Sequence, residues 1–262
     1  MHLSEEQIYR LVRSNRLEEG RFFVDGKFTT PTKTLTDVGL ITVKGRTHQL
    51  NDDFLHISQN INFQDEIYTL LAVYDGVSIG MRRQKQGAKA SKKAAAAVNE
   101  YFRTFATLCR NPRELVHSAL DYANHALEHQ TNATTVVLAF INVETGACYT
   151  GCAGDSFIFL LRGKSLQQVN KTHNHPKQRN IITRKLGPDS QGIIKKERGD
   201  ISSFFLLQDD LLVLATDGVE DVSHLQIRDA SLKTRDVQKF AEEIVHLGEA
   251  KGDDRTIIAV RF

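Results

Sequence analysis

Two stretches constrain the fold more than any others: Leu70-Leu71-Ala72-Val73-Tyr74-Asp75-Gly76 and Leu211-Leu212-Val213-Leu214-Ala215-Thr216-Asp217-Gly218. Each is a short apolar run, rich in branched residues, of the kind that forms a buried strand. Strands buried in this way need a layer of structure on both sides. Each run also ends in Asp-Gly. That places a carboxylate at the end of a rigid element, before a residue whose backbone can turn sharply and come close to a ligand. A single Asp-Gly is ordinarily only a turn, as the sequence suggests at Asp25-Gly26.

Around these runs the pattern predicts strands at 38–43 and 54–57 and helices at 87–108 and 112–130. An antiparallel meander follows at 134–143, 147–152 and 157–161, then a helix at 176–186, a helix at 234–248 and a last strand at 256–262. Strands, two helices, strands, helix, strand is not the regular alternation of a doubly wound sheet, and it points to an α+β layered domain. Residues 1–35 read differently. Ser4 opens a capping box, Ile8, Leu11 and Val12 recur at helical spacing up to Gly20, and a hairpin turning at Asp25-Gly26 precedes Pro31. The expected partition is an N-terminal arm at 1–35 and one domain at 36–262.

Charge and cysteine content exclude several classes of function. Lys and Arg number 34 against 32 Asp and Glu, a formal net charge of +2, which gives no global electrostatic reason for nucleic-acid binding. No apolar run approaches membrane-span length and residues 1–6 lack a signal-peptide pattern, so the expected setting is cytoplasmic, with no membrane partner. Cys109, Cys148 and Cys152 form no CxxC pair and read as buried thiols rather than a disulfide or zinc framework. His125-Ala126-Leu127-Glu128-His129 matches an inverted zinc-peptidase pattern, but reads better as a solvated helix face. The run from Arg82 to Lys93 holds six basic residues and no acidic one. It is either a solvated helix start or a patch that steers anionic phosphosubstrates; nucleic acid is disfavoured by the lack of interleaved aromatics.

Further carboxylates stand beside expected strands, in Asn51-Asp52-Asp53, Gly154-Asp155-Ser156 and Gly252-Asp253-Asp254. Clustered carboxylates repel and cost stability unless a cation neutralises them. Hard oxygen ligands of this kind select Mg²⁺ or Mn²⁺ rather than zinc. Two such ions roughly 3.5–4 Å apart activate water and stabilise a phosphoryl group in in-line displacement, so the implied reaction is phosphate-ester hydrolysis.

These motifs, together with Gly87-Ala88-Lys89-Ala90-Ser91, Ala133-Thr134-Thr135, Asn180-Ile181-Ile182-Thr183-Arg184-Lys185-Leu186-Gly187 and Asp253-Asp254-Arg255-Thr256, occur in an order that resembles the PP2C family of metal-dependent Ser/Thr protein phosphatases, over about residues 36–262. The resemblance implies a four-layer αββα sandwich and a Mn²⁺- or Mg²⁺-dependent phosphatase acting on phosphorylated proteins. It implies that Asp75 bridges two ions, that the Gly76 carbonyl binds one, and that Asp217 and Asp253 complete the first ion's shell. Asp75, Asp217 and Asp253 are then the catalytic set. Asp52 and Asp53 would serve the second ion, and Asp155 a third, weaker one. The sequence also departs from the family pattern. The place of a phosphate-gripping arginine falls to Arg46 or His48, Val77 stands where eukaryotic members carry a histidine, Asp52 replaces a glutamate, and Phe157 replaces an arginine. Those departures motivate a second expectation: a PP2C-like pseudophosphatase or phosphoprotein-binding module with weak or no catalysis.

Overall fold

Side-chain alternation along the two marker runs separates three cores. The computed structural model describes residues 22–25, 37–77, 87–188 and 201–262. In β4 (Glu66–Tyr74), Leu71 and Val73 face one core while Leu70, Ala72 and Tyr74 face another. In β14 (Leu211–Ala215), Leu212 and Leu214 enter the same core as Leu71 and Val73, and Leu211, Val213 and Ala215 face a third. A period of two with apolar residues at every position buries both faces of a strand. Two sheets therefore stack on a shared core, and each needs a further apolar layer outside.

The first sheet runs β1 (Phe22–Asp25), β3 (Phe54–Phe63), β4, β7 (Val136–Asn142), β8 (Ala147–Ala153), β13 (Ile201–Phe205). Its pairings are antiparallel except β1, which lies parallel to β3 with Phe22 opposite Leu55. The second is antiparallel throughout, in the order β10 (Ser165–Gln168), β9 (Phe157–Arg162), β14, β15 (Arg255–Arg261), β2 (Asp37–Val43). Helices α1 (Gly87–Thr104) and α2 (Pro112–Leu127) cover the first sheet through Ala94, Val98, Phe102, Leu115 and Leu120. Helices α3 (His224–Lys233) and α4 (Val237–Leu247) cover the second through Ile227, Phe240, Ala241 and Ile244. This is the expected α+β, four-layer αββα arrangement.

Local chemistry sets the helix starts. The Asn111 side chain accepts from Glu114 N ahead of Pro112, the first residue of α2, and Ser223 forms a capping box with Gln226 before α3. No helix among the described residues is long and apolar enough to cross a membrane. All three cysteines are buried free thiols.

Several expectations need correction. The strand expected at 54–57 runs to Phe63 and turns through Gln64 and Asp65, both at positive φ (53° and 66°). That is the backbone of a tight hairpin without its usual Asn-Gly signal. The segment 176–186 is not helical: β11 (Asn174–His175) and β12 (Gln178–Ile182) form a small hairpin, held by Thr183 N donating to His173 O at 2.6 Å. The expected meander is split, because β9 pairs with β14 and so lies in the other sheet from β7 and β8. The chain changes sheets at Gly154-Asp155-Ser156, where Gly154 has φ +117° and a Cβ would lie 2.4 Å from Thr135 Cβ. His129 lies past the end of α2 and shares no helix face with His125, whose Nδ1 faces Asp121 O at 2.8 Å. The arm's expected helix, the turn after Asp25, and Arg82 to Gln86 of the basic run lie outside the described residues.

Candidate functional site

Asp75 follows β4 and Asp217 follows β14, so the two sheets deliver these carboxylates to one rim of the sandwich. Asp53 precedes β3, Asp155 lies at the sheet crossing, and Asp253 and Asp254 precede β15. Their mutual influence shows that they are gathered. Burial, then Asp217, Asp53, Asp155 and Asp253, hold the Asp75 carboxyl well above the usual carboxylate range. Burial followed by Asp254 does the same to Asp53, and burial followed by Asp217 pushes Asp155 up to about 7. Burial and Asp217 also raise Asp253.

Asp75 is braced through its backbone carbonyl and Asp53 through its carboxyl. Thr134 Oγ1 and Thr135 N both donate to Asp75 O at 2.8 Å, and Thr135 Oγ1 bonds Ser156 Oγ at 2.8 Å across the sheet crossing. Thr216 Oγ1 donates to Asp53 Oδ2 at 2.8 Å while accepting from Thr256 N at 3.0 Å. Thr256 Oγ1 bonds Thr42 Oγ1, which accepts from Asn51 Nδ2. This buried polar chain ties Asn51-Asp52-Asp53 to β2, to β15 and to the end of β14 in the second sheet. Asp52 turns the other way, its Oδ1 accepting from Ala88 N at the start of α1. There Gly76 and Gly87 meet so closely that a Cβ on Gly76 would stand 2.3 Å from Gly87 C.

The residues fit a divalent cation by their chemistry. Asp53 Oδ1 and Asp155 Oδ1 are buried with no hydrogen-bond partner, a costly state for a carboxylate unless a cation meets it. Among the described residues no three His, Cys, Asp or Glu side chains are placed so that together they hold a metal ion as they stand, so binding one would need these side chains to close in. A lysine is in contact with the cluster: Lys251, whose Nζ lies 2.7 Å from Asp217 Oδ2, 3.6 Å from Glu220 and 3.9 Å from Asp253. Burial, the largest single influence, works against its ammonium, but Asp217, Asp253 and Glu220 together outweigh it and hold its pKa above the ordinary lysine value.

The sequence model of the family described as Stage II sporulation protein E (SpoIIE) matches residues 87–262, well over half of the chain. The chain belongs to the SpoIIE family. No curated protein matches its sequence. Among solved structures, the S. agalactiae serine/threonine phosphatase superposes with a TM-score of 0.72 at 19% identity, covering 86% of this chain and 98% of that one. Stp1 from Staphylococcus aureus gives 0.72 at 20% identity, covering 91% and 99%. The catalytic domain of PstP in complex with 2 manganese ions gives 0.66 at 20%, covering 86% and 96%. The PP2C resemblance read from the motifs is thus met in the fold.

In this SpoIIE-family chain the two candidates for gripping phosphate part company. The loop at 44–50 is stapled to the turn before β15: Gly45 N donates to Asp254 Oδ1 at 2.6 Å, and Thr47 N and Oγ1 both donate to Gly252 O. His48 is thereby held with Nδ1 2.8 Å from Asp254 and Nε2 3.3 Å from Asp253. Arg46 points outward, three-quarters exposed, and pairs with Glu249. The hydrogen bond to Asp254 outweighs burial and, with Asp253 and Asp52, raises His48 from its ordinary 6.5 to about 9. Titrating the metal-free protein by NMR is expected to show this imidazole charged at neutral pH, with its midpoint near 9. Because the folded pKa is the higher one, the stabilisation His48 contributes is complete below 6.5 and disappears as pH rises through about 9. A midpoint near 6.5 would show that the ion pair is absent.

Sequence reasoning overlooked several supporting residues. Lys251 precedes the Gly-Asp-Asp motif without any pattern of its own. His173 accepts from Gly154 N at 3.1 Å through Nδ1, and Asn174 donates to Asp155 Oδ2 at 3.1 Å. Both stand at the entry to the β11–β12 hairpin, just ahead of the segment expected as a helix. The only available signal was the nearby histidine pair, which by itself says nothing about a contact with residues 19 positions away.

Proposed function

We propose that the protein is a Mn²⁺- or Mg²⁺-dependent protein Ser/Thr phosphatase, with the domain at 36–262 carrying the activity and 1–35 an arm upon it. The observation that carries this reading is the gathering of Asp53, Asp75, Asp155, Asp217 and Asp253 at one rim of a PP2C sandwich, with two buried carboxylate oxygens unpartnered. Manganese in the PstP structure supports the choice of ion.

Asp75 and the Gly76 carbonyl would be the central groups holding the divalent ions. Asp217 and Asp253 would hold the first, Asp53 with Asp52 behind it the second, and Asp155 a third. Bound divalent ions supply the activated water and the neutralisation of charge that phosphoryl transfer requires. The chain's own groups do the rest. The threonines hold Asp75 and Asp53 in place, so little reorganisation accompanies the reaction. His48, cationic at neutral pH and fixed at the rim by Asp254, is favoured over Arg46 as the partner of a phosphoryl oxygen. Arg46, committed to Glu249 on the surface, is left with long-range attraction of the anionic substrate.

The test is hydrolysis of a phosphothreonine peptide with Mn²⁺, with Mg²⁺ and with chelator. Turnover restored by metal and absent with chelator is expected. A folded protein inactive with either metal would sink the proposal in favour of a phosphoprotein-binding module. Faster turnover of small phosphorylated metabolites than of any phosphopeptide would sink the assignment of protein as substrate.

A further inference from the structure

Beside the aspartates lies a cavity of about 300 Å³ whose wall includes Asp155 and Asp217 themselves. The apolar part of its lining is built by Phe157 and Phe159 from β9 and by Val219 and Val222 from the turns after β14. The two phenyl rings stack at 5.5 Å, and His224, the first residue of α3, stands edge-on to Phe159 at 5.4 Å. Phe159, Val219 and Val222 are buried, so this part of the lining is fixed within the third core, while Phe157 is half-buried. Thr172, Asn174 and Glu220 line the remainder.

Resting on the phosphatase reading above, we infer that this cavity is a specificity pocket for an aromatic or large aliphatic side chain of the substrate, close in sequence to the phosphorylated residue. Three features select that occupant. The volume is at the small end for a ligand site and suits one side chain rather than a cofactor. A phosphoryl group held among the aspartates would leave the peptide running past a wall shared with the pocket, and at about 3.3 Å per residue a side chain within roughly three positions reaches it. Asp155 and Asp217 belong to the ion cluster, so the surface left for a side chain sets the phenyl rings, the valines and the His224 ring against the polar Thr172, Asn174 and Glu220, and the stacked phenyl rings are the part that suits an aromatic or aliphatic group. Burying an apolar side chain there gives a preference that a flat surface cannot give.

The experiment uses the full chain with Mn²⁺ and a set of phosphothreonine peptides identical except at one flanking position, which carries Phe, Leu, Ala, Lys or Asp. At one position within three of the phosphothreonine, kcat/KM is expected to be about tenfold or more higher for Phe than for Ala. Phe157→Ala is expected to reduce that ratio to below about threefold, and His224→Ala, at an exposed position, to reduce it less. Equal rates across the set would overturn the inference, and so would a preference for Lys or Asp. If no peptide turns over with any metal, the phosphatase reading fails on its own, and the pocket is read by fluorescence anisotropy of the same peptides. There, tighter binding of the Phe peptide that is lost in Phe157→Ala supports the pocket, and equal affinities refute it.

Discussion

Asp75→Asn is expected to lower metal-dependent kcat/KM by about 10³-fold or more while raising the melting temperature of the metal-free protein. The two effects have opposite signs because they come from the same charge. Asp75 is the carboxylate on which Asp217, Asp53, Asp155 and Asp253 all act, so an ion assigned to it loses its central ligand when the side chain becomes an amide. Without ions the same charge is a liability. Its folded pKa lies above the ordinary 3.8, so the folded state holds this proton more tightly than the unfolded chain does. The favourable contribution is therefore present below 3.8 and is lost as pH rises through the higher folded value. Asparagine removes that cost at neutral pH and leaves the backbone untouched, because Thr134 and Thr135 bond the carbonyl of Asp75 and not its carboxyl. Each kcal/mol relieved is worth about 2–4 °C in a chain of this size. Melting curves with chelator and rates with Mn²⁺ decide the matter; retained activity, or a lower melting temperature, contradicts the assignment.

Gly218→Ala is expected to destabilise the fold by about 3 kcal/mol or more, with metal-dependent activity lost alongside. A Cβ at this position would stand 1.8 Å from the carbonyl oxygen of Asp254 and 2.8 Å from Arg255 Cγ. The first is backbone, and the backbone there has no slack. Asp254 is 3% exposed, and its two carboxyl oxygens accept from Gly45 N and Asp52 N, each at 2.6 Å. Relief of the clash would displace the turn that carries Asp253 and the loop that carries His48. Gly163→Ala is the matched control. It has φ +59° and open space around a Cβ, so only the left-handed backbone penalty of about 1–2 kcal/mol applies. Midpoints of urea unfolding compare the two, and equal losses would mean that the close approach is not a constraint.

The parts of this protein legible in its sequence are those whose physics is local. An apolar run ending in Asp-Gly identifies a central strand with a carboxylate at its end, because burial and turn chemistry act over a few neighbouring residues. The same holds for the caps at Asn111 and Ser223 and for the five acidic motifs. The hairpin through Gln64 and Asp65 was not legible, because glutamine is an unusual residue at positive φ and Asp65 is followed by Glu66 rather than by the glycine of a turn signal. The hairpin of β11 and β12 was not legible either, because it is held by contacts to Gly154 and Asp155 rather than by a pattern of its own.

The sequence by itself determined the layered α+β class and the residues from which an ion site could be built. Only the tertiary structure decided which of them meet. It sent β9 to the second sheet, which places Asp155 at a crossing and stands Phe157 and Phe159 over a cavity. It stapled the 44–50 loop onto the turn before β15, which holds His48 at the rim and leaves Arg46 on the surface. It also lodged Lys251 against Asp217. The reason is that a contact between residues more than 200 positions apart, such as Asp52 with Asp254, depends on how the layers stack. No local preference of either residue encodes that.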